Sequence, residues 1–303
     1  MDLTRYLNPD VVRQVSRLDL RARFIVEGFL AGSHRSPFQG LSVEFAEHRK
    51  YTQGDDLRTI DWNVYARTDR LYVRKYQAET HLECHLLVDT SASMGAVGPV
   101  TGGDDGDNAK LLYAIHLAAA LGYLVIHQQD AIGLGLIGEG LQTLLPARSR
   151  RAHLAQLLAT LSGVKPSGET GIARGVDEAL ARISHRGVIV LISDLLAEPD
   201  DVRRALRQIR YRGHDLIVMH VLDAVETRFT LDGTVRLEDP ESGETLTVDA
   251  AAVRAAYQKA IADWRGELRR EVASLRGDYV ALDTATPFDT ALVEFLMQRS
   301  KRR

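Results

Sequence analysis

The chain has 303 residues, 45% of them hydrophobic and 26% charged, with a net charge of -3. Those values exclude a disordered or collagen-like chain and give no electrostatic drive toward nucleic acid or an anionic membrane. A lone cysteine, Cys84, rules out an internal disulfide and fits a reducing compartment.

The first stretch, "MDLTRYLNPDVVRQ", is polar and has no apolar core, so no signal peptide is expected. "NPDVVRQVSRLDLRARFIVEGFLAG" reads as a helix, with Asn8 as cap and Pro9 at the first helical position. Loop and strand follow, and then "HRKYTQGDDLRTIDWNVYARTDRLYVRKYQAET", where turn signals mix with β-prone aromatics. Residues 1–80 are therefore expected to form a helix and a β-rich module. Its charges (Asp55, Asp56, Arg58, Asp61, Arg67 and Asp69) are either a partner surface or an ion-pair network, with Trp62 and Tyr65 expected in its core.

From residue 81 the pattern becomes an alternation. "ECHLLVD" is a buried strand, and "LLYAIHLAAALGYLVI" is a buried helix, too short in apolar length to span a membrane. "DAIGLGLIGEGLQTLLP" reads as a hairpin, and "RRAHLAQLLATLSG" and "TGIARGVDEALARI" as helices. Next come the strand "GVIVLISDL", a helix opened by Pro199 and stopped by Gly213, and the strand "DLIVMHVLD". A long helix, the strand "DYVALD" and a last helix after Thr286-Pro287 complete the chain. Such alternation predicts an α/β fold, a doubly wound and mostly parallel sheet with helices on both faces, over residues 81–303. Turn signals at Asp232-Gly233 and Ser242-Gly243 mark a small β insertion at about 224–249.

Ligands of open α/β sheets bind at the carboxyl ends of the strands. The polar side chains expected there are Asp89, Ser91 and Ser93 after the first strand, Thr170 after "KPSGE", and Asp194 after "VIVLIS". Two carboxylates and three hydroxyls are hard oxygen donors that suit Mg²⁺, with Mn²⁺ or Ca²⁺ as alternatives. Each residue taken singly is also ordinary turn or capping chemistry, Thr170 being a candidate N-cap. Together the five resemble the metal-ion-dependent adhesion site of von Willebrand factor A domains, with Asp89, Ser91, Ser93, Thr170 and Asp194 at its positions. The resemblance implies direct or water-mediated metal coordination and an open position for a partner's carboxylate. With the upstream segment from "FIVEGFLAG" to "RKYQAET", most of the chain resembles the bacterial domain-of-unknown-function family numbered fifty-eight. That resemblance implies a non-enzymatic adaptor acting with a MoxR-type AAA+ ATPase in chaperone-like assembly or maturation of other proteins. No nucleic acid, no membrane span and a cytoplasmic location are expected with it.

A Mg²⁺-dependent hydrolase using Asp89 as nucleophile is the alternative. The missing second aspartate of an Asp-x-Asp motif, and the lack of a lysine or histidine nearby in sequence, argue against it. "GLGLIG" matches a dinucleotide fingerprint only formally, since a second strand rather than a helix is expected after it. No P-loop, H-E-x-x-H or G-x-S-x-G motif occurs. The acidic loop at 97–108 lacks EF-hand spacing.

Overall fold

The computed structural model describes residues 43–52, 60–78, 83–95 and 109–301. The helix expected over 8–32, the acidic loop at 97–108, and Asp55, Asp56 and Arg58 lie outside them. The chain divides into two compact units, one within Ser33–His81 and the other including Leu82–Arg303.

In the smaller unit, β1 (Val43–Lys50) pairs antiparallel with β2 (Tyr72–Ala78), with a bulge between Phe45 and Glu47. Between them Trp62–Thr68 forms a short helix, α1, where the aromatics suggested strand. The cap explains the difference: Asp61 Oδ1 accepts from the Val64 N–H at 3.3 Å, which starts a helical turn that β propensity alone would not. Trp62 and Tyr65 are not core. They are 60% and 38% exposed and meet edge to face, while among the described residues of this unit Ile60 and Val73 are buried apolar side chains.

The larger unit is built on a six-stranded sheet. Its strands are β3 (Glu83–Asp89), β4 (Ala131–Ile137), β5 (Leu141–Arg148), β6 (Gly187–Ser193), β7 (Asp215–Leu222) and β10 (Asp278–Asp283). Across the sheet the order is β10-β7-β6-β3-β4-β5, with every pairing parallel except the edge pair β4–β5. The winding reverses between β3 and β6, so the crevice at their carboxyl ends is the switch point of a doubly wound sheet.

Residues of β6 are buried throughout, as a strand covered on both faces must be. Side-chain alternation sends Leu86, Val88, Val190 and Ile192 to one core and Leu87, Ile189 and Leu191 to the other. The first core is closed by α2 (Ala109–His127), α3 (Arg151–Ser162) and α8 (Phe288–Lys301). The second is closed by α4 (Ile172–Arg182), α5 (Pro199–Tyr211) and α7 (Ala250–Ser274). Among the described residues, the Lys110–His127 stretch of α2 is one helix long and apolar enough to cross a membrane, and 72% of it is buried within the protein. It is the central helix of the first core.

After β7 the alternation is interrupted by a short helix, α6 (Ala224–Arg228), and the antiparallel hairpin of β8 (Thr234–Glu238) and β9 (Thr245–Asp249). The glycines of "GLGLIG" fall within β4 and its turn into β5, which removes the dinucleotide reading.

Candidate functional site

Two neighbouring strands end in acids. β3 closes on Asp89, and β6 closes on Ser193 with Asp194 immediately after. Both apolar runs stop where the sheet ends, so their last polar side chains stand in the crevice. Asp89 Oδ1 accepts from the Ser91 N–H at 2.9 Å and from the Ser91 hydroxyl at 2.7 Å. Its Oδ2 accepts from the Ser193 hydroxyl at 2.6 Å. Ser91 Oγ and Ser93 Oγ are 3.0 Å apart, and the Ser93 hydroxyl lies 3.4 Å from Asp194 Oδ1. Asp89, Ser91, Ser93 and Asp194 thus form a continuous buried chain of oxygens.

Each carboxylate oxygen of the chain has a donor, Asp194 Oδ1 accepting also from the Leu196 N–H at 3.1 Å. Each hydroxyl carries one proton. Ser91 spends its proton on Asp89, which leaves Ser93 with a single proton for two acceptors, Ser91 Oγ and Asp194 Oδ1. Burial, and then the neighbouring Asp194 charge, push the Asp89 carboxyl up to about 6. Hard oxygens with surplus negative charge fit a cation such as Mg²⁺. Among the described residues no three His, Cys, Asp or Glu side chains gather as a metal cluster, so any ion here relies on the hydroxyls as well as the carboxylates.

One positive charge is already built in. Lys110, fully buried at the start of α2, donates to Asp194 Oδ2 at 2.7 Å and to Glu226 Oε1 at 2.6 Å. Burial pulls its pKa down, but the two carboxylates outweigh burial and the net shift is upward. Burial pushes Glu226 up, against the pull of Lys110. Glu226 is held by the cap of α6, where its Oε2 accepts from the Asp223 N–H at 2.8 Å. Behind Asp194, the backbone oxygen accepts from His220 Nε2 at 2.8 Å, so His220 Nδ1 accepts from the Tyr279 hydroxyl at 2.6 Å. Burial lowers His220 to about 4, which keeps it neutral.

Thr170 is placed differently. Its loop is laced to the turn after β3, with the Ser167 N–H donating to Thr90 O at 3.0 Å and the Ala92 N–H to Gly168 O at 2.9 Å. Gly171 then packs so tightly that an added Cβ would stand 2.1 Å from the Glu139 carbonyl oxygen, a contact that only glycine permits. Thr170 is not a helix cap: Gly171 takes that position in α4, with no side-chain cap bond. Instead the Thr170 N–H and hydroxyl donate to Glu241, at 2.9 and 2.5 Å. So hydrogen bonds join four of the five expected residues, while the fifth is bonded to the β8–β9 hairpin.

Sequence reasoning missed Ser193, Lys110, Glu226, His220 and Glu241. Ser193 had a local signal, being a polar residue that closes an apolar run beside Asp194. Lys110 had a fainter one as the charge opening an apolar helix. The absence of a lysine near the site, held against a hydrolase, is corrected: Lys110 is 84 residues from Asp194 in sequence and in contact with it in space.

The strand order defines a doubly wound, mostly parallel α/β domain with a von Willebrand factor A-like fold. The family model described as "Protein of unknown function DUF58" matches residues 47–267. The chain belongs to that family. It is 30% identical over 301 residues to the uncharacterized protein Rv1480 of Mycobacterium tuberculosis, covering 97% of this chain and 91% of that protein. Among solved structures it is similar to the conserved hypothetical protein BatB from Bacteroides thetaiotaomicron, at 17% identity and a TM-score of 0.47, over 73% of this chain and 99% of that one. It is also similar to the SpRpn10 VWA domain, at 13% identity and a TM-score of 0.40, over 71% and 94%.

Proposed function

We propose that this chain is a metal-dependent protein–protein interaction adaptor. Asp89, Ser91, Ser93, Thr170 and Asp194 hold a Mg²⁺ ion, with Mn²⁺ or Ca²⁺ as substitutes. The partner is a MoxR-type AAA+ ATPase, and the pair acts in the chaperone-like assembly or maturation of other proteins in the cytoplasm. The observation that carries the reading is the buried chain of carboxylate and hydroxyl oxygens from Asp89 to Asp194 at the sheet's switch point. A bound divalent ion supplies Lewis-acid attraction for a carboxylate on the partner.

The chain's own residues set the conditions. Ser193 and the Ser91 N–H fix the Asp89 carboxylate from both sides. Lys110 fixes Asp194, so the donors are oriented before anything binds. Gripping is favoured over cutting because Asp89 is 1% exposed. A nucleophilic carboxylate must reach its substrate directly, whereas a buried one can act through a bound ion and its waters.

Calorimetric titration with Mg²⁺, and capture of the MoxR-type ATPase with and without EDTA, test this reading. Asp89→Ala is expected to lose both Mg²⁺ binding and capture while its circular dichroism is kept. Capture that survives both EDTA and the substitution overturns metal dependence.

A further inference from the structure

The hairpin brings its own carboxylate to the site. Glu241 stands at the β8–β9 tip, half-buried, and accepts from both the N–H and the hydroxyl of Thr170. The tip is shaped to present it. Asp239 accepts from the Glu241 N–H at 3.0 Å, the Ser242 N–H at 3.3 Å and the Ser242 hydroxyl at 2.5 Å. Gly243, at a φ of 72°, closes the turn in the left-handed region. The strands behind the tip bury little: β8 alternates between exposed and half-buried, β9 is exposed except at half-buried Val248, and Leu246 is 62% exposed. A two-stranded ribbon of this kind is marginal by itself, and the tip contact adds to the ties at its base, where Arg254 donates to Leu231 O and Asp232 Oδ1 at 2.6 Å.

The donors on Thr170 are therefore occupied by an acidic side chain of the same molecule. Resting on the adaptor reading, we propose that the β8–β9 hairpin is an internal competitor. Glu241 fills the place that receives a partner's carboxylate, and the partner enters by displacing the arm. The exchange replaces one carboxylate by another: Glu241 leaves the Thr170 N–H and hydroxyl, and the partner's carboxylate takes the position beside the ion. Tethering gives Glu241 an effective concentration on the order of millimolar, so a lone soluble carboxylate competes poorly with it. A protein that also buries surface around the site does not share that handicap.

The test uses the full chain at saturating Mg²⁺ and a fluorescein-labelled peptide, acetyl-Ala-Glu-Ala-amide, read by anisotropy, with the Gln peptide as control. Removing the competitor in Glu241→Ala is expected to tighten binding of the acidic peptide about tenfold or more, with Glu241→Gln intermediate. Mg²⁺ affinity, titrated without peptide, is expected to stay within roughly threefold of wild type. Unchanged or weaker peptide binding with Mg²⁺ binding intact overturns the competitor. Loss of Mg²⁺ affinity in Glu241→Ala also overturns it and makes Glu241 a resident ligand. Failure of the wild type to bind Mg²⁺ at all refutes the metal reading itself and removes the competitor with it.

Discussion

The two sides of the candidate site are built by opposite rules. On the strand side, Asp89, Ser91, Ser93, Asp194 and Lys110 are buried, and each carboxylate is held by several donors. On the loop side, Thr170 and Glu241 are half-buried, and the hairpin behind Glu241 is open to solvent. Buried polar groups are costly to leave unpaired, whereas exposed ones trade partners with water or ligand cheaply. The strand side is thus a fixed frame and the loop side a replaceable rim.

The largest break in that contrast comes from Lys110→Met. The substitution keeps the stem and deletes the ammonium, leaving buried Asp194 and half-buried Glu226 without the cation between them. Breaking one side of a buried ion network costs about 3–5 kcal/mol. Urea unfolding is expected to show a loss of that size. Mg²⁺ is expected to recover part of it, because a cation added near Asp194 replaces lost positive charge. A loss below about 1 kcal/mol would place Lys110 among ordinary surface pairs and dissolve the distinction between frame and rim.

The frame also titrates. His220 sits at about 4 in the fold against 6.5 when free, so the native state binds fewer protons between those values. Its contribution is fully present above about 6.5 and is lost as pH falls toward 4, a swing on the order of 3 kcal/mol. Asp89 runs the other way. Raised from 3.8 to about 6, it favours the fold while protonated and costs stability as pH climbs through that range. Wild type without metal is therefore expected to be nearly flat between pH 4 and 6. His220→Gln, which can still donate to the Asp194 carbonyl, is expected to lose stability with rising pH over that span, and Asp89→Asn to gain it. Urea midpoints at pH 4, 5 and 6 check both signs. Parallel profiles for all three proteins would refute the assignment.

How legible each side was in the sequence follows from range. β3 and β6 are seven-residue strands whose apolar stretches end on polar residues, so the strands, the parallel order and four members of the oxygen chain were readable locally. Thr170 was found by its loop, but its partner was not, because Glu241 lies 71 residues on, in an insertion with no pattern linking the two. Lys110 reaches Glu226 across 116 residues in the same pattern-free way. α1 was missed for the opposite reason. One local cap at Asp61 overrode the strand propensity of Trp62 and Tyr65, and both rings then faced outward rather than into a core.

The smallest effect is expected at the rim, where Thr170→Val removes one hydroxyl at nearly constant volume. Glu241 keeps the Thr170 N–H at 2.9 Å and gains access to water for the lost bond. A hydrogen bond of this exposed kind contributes about 1 kcal/mol or less to global stability. Urea unfolding is expected to register that small loss, while amide exchange in Thr234–Glu238 and Thr245–Asp249 speeds up as the arm opens more often. The two readouts separate a rim from a frame, since a local opening accelerates exchange in the hairpin and leaves the protection of β3 and β6 unchanged. If Thr170→Val costs as much as Lys110→Met, or if exchange rises in β3 and β6 as well, the hairpin tip is part of the frame and Glu241 is a structural tie.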